Sequence, residues 1–341
     1  MGWLVRVPRR APVLLGALLF AGLAFYTNAS KSAIPASAMP LAPETLVHLE
    51  RKAINTDAPI YIRVFKEESE LEVWKQRADG HYLHVKTYPV CNWSGTLGPK
   101  QRFADFMSPE GFYSVGQSQL KPDSAYHLAF NVGYPNELDR ALGRTGDKIM
   151  VHGKCQSVGC FAMTDTLIEE IYAFVRDALR GGQASVPVHA FPFRMTAENM
   201  ARHANHKAAA TWAPLETAYM DFESSREVPV TAVCEKTYIV NPLWQDGEPV
   251  GLSAAKQCPA HAHVTAIPVS REVQAELTQD PLRAEGIKTR SAQSIAGWND
   301  AIAKAALADI QRRDANRKLR RSAEAARQSE TGGLKPLLGA H

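Results

Sequence analysis

The chain has 341 residues, 45% of them hydrophobic, a net charge of +4 and five cysteines. That length and apolar content support a buried core, so the chain reads as a globular protein with ends attached, either one large domain with extensions or two smaller ones. Residues 312–327 hold seven Arg and Lys against Asp314 and Glu324, more than the whole net charge; the remainder is near neutral and gives no reason to expect a nucleic-acid partner.

In chain order, Arg6, Arg9 and Arg10 precede the apolar run 11–25, and small and polar residues follow to Ala29. A basic start, a short apolar stretch and small residues predict a secretory signal over 1–29, with cleavage after Ala29; an uncleaved signal anchor is the alternative. No cysteine precedes Cys91, which excludes a lipid-modified cysteine at a new N-terminus. Residues 30–57 read as a Ser-, Ala- and Pro-rich linker followed by a short helix from Pro43 to Asn55 with Leu46, Leu49 and Ala53 on its apolar face.

From Pro59 the pattern changes. Residues 60–65, 70–74 and 82–90 alternate apolar with polar and predict neighbouring antiparallel strands. The Gly- and Pro-rich segment 95–125 supplies loops and a strand over 111–115; further strands are predicted over 126–132, 148–152 and 185–193. Helical spacing of apolar residues from Leu167 to Leu179, with Gly181-Gly182 behind, predicts a helix ending at Arg180. A helix over 198–210 follows, then 212–222, irregular or helical. Strand-like 228–233 and 237–240 suggest a small appended module over 227–268, and 269–341 reads as a charged helical or loose extension. The fold class is therefore β-rich α+β, with packed helices.

The chemistry concentrates in His152-Gly153-Lys154-Cys155-Gln156-Ser157-Val158-Gly159-Cys160. A thiol becomes a nucleophile when an adjacent base can take its proton, and a short flexible turn can bring His152 to Cys160. Cys160 is the candidate nucleophile and His152 the candidate general base. The bland alternatives are a buried structural cysteine and a satisfied strand-end histidine. Gly153 and Gly159 permit close backbone approach, and the amides around Gly159 and Cys160 are candidates for an oxyanion hole. Ser157 either closes the turn or meets substrate. With a predicted helix just beyond, the dipole is expected to favour a Cys160 thiolate.

In an exported protein five cysteines leave at least one unpaired, and Cys160 is the choice. Cys234 and Cys258 share one segment and form the expected disulfide, while Cys155 with Cys160 is a competing redox pairing that would inactivate the enzyme. His152, Cys155 and Cys160 match no paired zinc spacing, and His203 and His206 read as solvated histidines on a polar helix face, so no metal or cofactor is expected.

These residues also carry a resemblance. His152-Gly153 with Ser157-Val158-Gly159-Cys160 is similar to the signature of the YkuD-type L,D-transpeptidase family, and segments 93–100, 108–113, 130–136, 143–146 and 191–196 resemble its YafK-like branch. The resemblance covers about residues 58–226. It implies a mixed-strand β-sandwich with a packed helix, export to the periplasm or cell envelope, and a cysteine acyl-enzyme formed at a meso-diaminopimelate carbonyl of peptidoglycan. By bringing the Cys91 strand near the loop, it also implies a second disulfide, Cys91 with Cys155. Arg144 and Tyr134 are the substrate-binding candidates; Arg144, in a Gly-flanked loop, either meets a stem-peptide carboxylate or is a plain surface charge.

One position departs from the pattern. Many members have an arginine two residues after the cysteine, and this chain has Ala162. Its absence points away from cross-linking, and the resemblance to the YafK-like branch implies hydrolysis or exchange at the diaminopimelate carbonyl, including release of a wall-attached lipoprotein. The alternatives are a cross-linking L,D-transpeptidase and, from another class, a non-catalytic peptidoglycan-binding module. Contact of the basic C-terminal segment with a membrane surface is a further expectation.

Overall fold

A computed structural model describes residues 34–279 and 281–283, together with the isolated helical positions 311, 315 and 322. The predicted signal over 1–29 and most of the basic C-terminal segment lie outside the described residues. Among the described residues no helix is long and apolar enough to cross a membrane.

Helix α1 (Pro43–Arg51) opens the fold with a proline in its first turn and Leu49 buried. It ends at Arg51, short of the predicted Asn55, because Ala53 takes a left-handed φ of 51°. Strands β1 (Ile60–Phe65), β2 (Glu70–Gln76) and β3 (Tyr82–Pro89) follow as an antiparallel run, as their alternation predicts. Next come β4 (Gly111–Val115), β5 (Leu120–Lys121), β6 (Ala129–Asn131), α2 (Glu137–Ala141), β7 (Met150–His152) and β8 (Phe161–Ala162). Helix α3 (Asp165–Arg180), capped by the Thr164 side chain, leads to β9 (Val186–Phe191).

Two sheets result. A six-stranded mixed sheet has the order β3-β2-β1-β9-β4 with a late strand, Leu282–Arg283, beside β3, and a four-stranded sheet has the order β5-β6-β7-β8. Helix α3 packs against strands of both, and its apolar stripe (Leu167, Ile168, Ile171, Phe174, Val175, Ala178) joins one core with residues of each sheet. The molecule is α+β with mixed strands.

The helix predicted over 198–210 stops early as α4 (Ala197–Arg202), and after a turn α5 (Ala209–Ser225) makes helical the segment 212–222 that was expected to be irregular or helical. His203 and His206 lie in the turn between them and are not solvated helix-face residues. His203 stacks on Phe193 at 4.4 Å and pairs with Glu67, while His206 stacks on Trp212 at 4.8 Å.

Beyond α5 come the hairpin β10 (Thr231–Cys234) and β11 (Thr237–Val240), the pair β12 (Pro242–Trp244) and β13 (His261–His263), helix α6 (Arg271–Thr278) and β14 (Leu282–Arg283). Val233, Tyr238 and Val240 enter a second core with Phe65, Phe191 and Trp212, and Leu277 is buried in the first. Strand β14 adds in parallel to β3. These late segments complete the main body.

Candidate active site

The four-stranded sheet places the site. Strands β7 and β8 are parallel neighbours with His152 opposite Ala162, and the loop 153–160 joins them. Side chains on a strand alternate faces, and neighbours in a parallel pair share one, so Met150, His152 and Cys160 fall on the same face. His152 and Cys160 line one cleft of about 540 Å³ with Tyr126, Ala129, Met150, Gln156 and Val158.

The half-buried Cys160 is a free thiol. Its Sγ donates to Lys148 O at 3.7 Å and accepts from Met150 N at 3.4 Å. Burial pushes its pKa up to about 11, against smaller lowering effects of the Met150 amide and the Lys100 cation. The expected thiolate is therefore corrected to a resting thiol. Strand β8 and the Thr164 cap separate Cys160 from α3, and the first-turn Asp165 accepts from Lys154 N at 2.8 Å.

His152 is buried. Its Nδ1 lies 2.7 Å from Gly153 O, an acceptor that fixes the tautomer with hydrogen on Nδ1 and the lone pair on Nε2. Burial lowers its pKa below the ordinary value, so the ring is neutral at neutral pH. Tyr126 covers it, with ring centroids 4.7 Å apart.

The loop is held at several points. A Cβ on Gly153 would meet Asp165 Oδ1 at 2.5 Å and Tyr126 O at 2.9 Å, so no other residue fits. Gly159 has space for a Cβ but a φ of +117°, which side chains rarely adopt. Ser157 is buried and its hydroxyl donates to Cys160 O at 2.5 Å, which assigns that hydroxyl to loop order. Ser108 Oγ donates to the same oxygen at 3.2 Å while accepting from Ser94 N. The buried Lys66 in turn binds Thr96 O, Gly98 O, Ser108 O and Glu110, fixing the loop that carries Ser108.

Disulfides join Cys91 to Cys155 and Cys234 to Cys258. The first ties the end of β3 to the loop and removes Cys155 from both the metal triplet and the inactivating pair with Cys160.

Neither substrate-binding candidate reaches this cleft. Arg144 pairs with the buried Asp139 at 2.8 Å and lines a separate cleft of about 200 Å³ with Leu138 and Tyr238. Tyr134 is buried, its hydroxyl donating to Lys100 O and Thr145 O. Both were placed by segment likeness, which carries no information on which side of a loop faces the thiol. Lys66, Ser108 and Tyr126 leave no local signal in the sequence, because their roles come from contacts across more than 20 residues of chain.

A family model for the L,D-transpeptidase catalytic domain, YkuD, matches residues 59–189. YafK of Escherichia coli K12, provisionally assigned as an L,D-transpeptidase, is 46% identical over 197 residues, covering 58% of this chain and 80% of YafK. The chain belongs to the YkuD L,D-transpeptidase family. The Escherichia coli O157:H7 YafK gives the same figures. Among solved structures, this family member is similar to the helical cell shape determining protein Pgp2 of Campylobacter jejuni, at 21% identity and a TM-score of 0.33. That match covers 53% of this chain and 64% of that one. Bd1075 of Bdellovibrio bacteriovorus is similar at 23% identity, a TM-score of 0.29, and 40% and 48% coverage.

Proposed function

We propose that this chain is an exported cysteine enzyme of the cell envelope that cleaves peptidoglycan stem peptides at a meso-diaminopimelate carbonyl, with water as the main acceptor. The supporting observation is a free thiol and a tautomer-fixed neutral imidazole lining one cleft.

In this reading His152 Nε2 takes the Cys160 proton as Sγ attacks the carbonyl carbon, and the amides at Gly159 and Cys160 receive the oxyanion. Expulsion of the amine breaks the C–N bond, the imidazolium supplies its proton, and a thioester remains. A water then gives a proton to His152 and attacks; the C–S bond breaks and the thiol is restored. Sequential use of one base requires it neutral at the start of each half, which the depressed His152 pKa provides.

Hydrolysis is favoured because cross-linking needs an acceptor peptide held at the thioester long enough to outcompete water. Ala162 is fully buried in β8 and supplies no cation for such a peptide. The substrates are peptides linked to diaminopimelate, a wall-attached lipoprotein among them.

The test is mass spectrometry of products from defined muropeptides with and without a diaminopimelate-linked peptide. Cleaved muropeptide that disappears with Cys160→Ala is expected. No mass change together with tight retention on sacculi would mark a binding module instead.

A further inference from the structure

The cleft that holds Cys160 carries two cations that the chemistry above leaves unused. Lys121 and Lys148 both line it. Register puts Lys121 in one row with Ala129 and His152 across β5, β6 and β7. Two strand spacings separate Lys121 from His152, about 10 Å, and the small Ala129 between them leaves the floor open. Lys148 stands on the other flank. Its carbonyl accepts the Cys160 thiol, and its backbone has a left-handed φ of 55°. A lysine rarely adopts that conformation, which costs of order 1 kcal/mol or more. The same turn aims its carbonyl at Sγ and sets its side chain at the cleft.

The charges nearby are already committed. Arg144 is paired with Asp139, Lys100 with Asp105, and Lys154 Nζ with Ala125 O. Among the described residues neither Lys121 nor Lys148 takes part in an ion pair, and both are exposed. Asp123 is the one carboxylate on the cleft wall, so with neutral His152 the cleft is net positive.

We infer that Lys148 and Lys121 are the specificity-determining residues of this cleft and hold a carboxylate of an anionic peptide beside the scissile carbonyl. This rests on the reading of Cys160 as nucleophile. Lys148, next to the thiol, is the nearer anchor. Lys121 takes a carboxylate displaced toward His152. An ammonium is a point charge on a flexible stem, so the pair tolerates carboxylates at more than one distance, unlike a bidentate arginine.

The probe is alkylation of Cys160 in the full chain by iodoacetate, an anion, compared with iodoacetamide, its neutral counterpart, at one fixed alkaline pH. Both form the same bond as the thiolate displaces iodide, so their rate ratio isolates the field of the cleft. Lys148→Gln and Lys121→Gln should each lower the iodoacetate-to-iodoacetamide ratio about two- to five-fold, the range of a part-exposed ion pair. The double variant should lower it further, added salt should shrink the difference, and Lys148→Arg should retain the ratio. With muropeptides the Gln variants should raise KM more than they lower kcat. An unchanged ratio in all the Gln variants overturns the inference. A ratio that falls while wild-type enzyme cleaves no muropeptide supports the cationic anchor and rejects the proposed substrate instead.

Discussion

At the residue scale, the site pairs two groups that are both uncharged at rest. Burial depresses the His152 pKa below 6.5 and raises that of Cys160 to about 11, so the thiol–imidazole form prevails between those limits. Activity should fall as pH drops through the His152 pKa, because protonation removes the base, and should hold level from neutral into alkaline pH. Measured kcat/KM against pH checks this; an acid limb tracking a low thiol pKa would point to a preformed ion pair. His152→Ala should cost about 10²- to 10⁴-fold in turnover. Cys160→Ala should abolish turnover while leaving the thermal transition near wild type. That Cys160 and His152 meet in one cleft was legible in the sequence, because a short Gly- and Ser-bearing turn joins them. Their protonation states were not, since burial depends on chain distant in sequence.

At the element scale, the loop between β7 and β8 is held from several sides. Gly153→Ala would push a methyl group onto Asp165 and the Tyr126 carbonyl. A cost of about 1–3 kcal/mol is expected, as for overpacking, with a larger loss of activity because the displaced backbone carries Gly153 O, the partner of His152. Chemical denaturation and turnover on one preparation check both. Cys155→Ser removes the tether to β3 and should cost about 2–5 kcal/mol, and Cys160 should then alkylate faster as the loop opens.

The long strands β1 to β3 and helix α3 were readable from period alone. Two-residue β5 and β8 were not, because so short a segment has no period; it becomes a strand only when its neighbours offer hydrogen bonds. The break between α4 and α5 comes earlier than the pattern places it, for a related reason: the turn is held by His203 and His206 stacking on Phe193 and Trp212.

At the scale of the whole molecule, the site depends on a buried polar scaffold and on late chain segments. Lys66 ties Glu110 to three carbonyls, one of them that of Ser108, and Glu110 also accepts from Trp212. Lys66→Met leaves the Glu110 carboxylate buried without its cation and should destabilise by about 3–5 kcal/mol, read by equilibrium unfolding. Residues 227–268 were expected as a module beside the catalytic domain and 269 onward as a charged helical or loose extension, yet the described part of both packs on the main body. They lend Val233, Tyr238, Val240 and Leu277 to the two cores, and Tyr238 holds Asn136 and Phe112 through its hydroxyl. A chain ended at residue 226 should therefore lose cooperative unfolding, which a broad, probe-dependent transition would reveal. Sequence patterning showed strands there but not their partners, because a half-apolar hairpin reads alike whether it packs on itself or on a larger core.

The most direct measurement is turnover of a diaminopimelate-linked peptide in water labelled with the heavy oxygen isotope, with mass analysis of both product and acid-quenched protein. One heavy oxygen is expected in the new carboxyl group of the cleaved product, with a stem-peptide acyl mass on the Cys160 peptide that is absent from Cys160→Ala. New diaminopimelate cross-links without the label, or an acyl mass on any other residue, would contradict hydrolysis through Cys160.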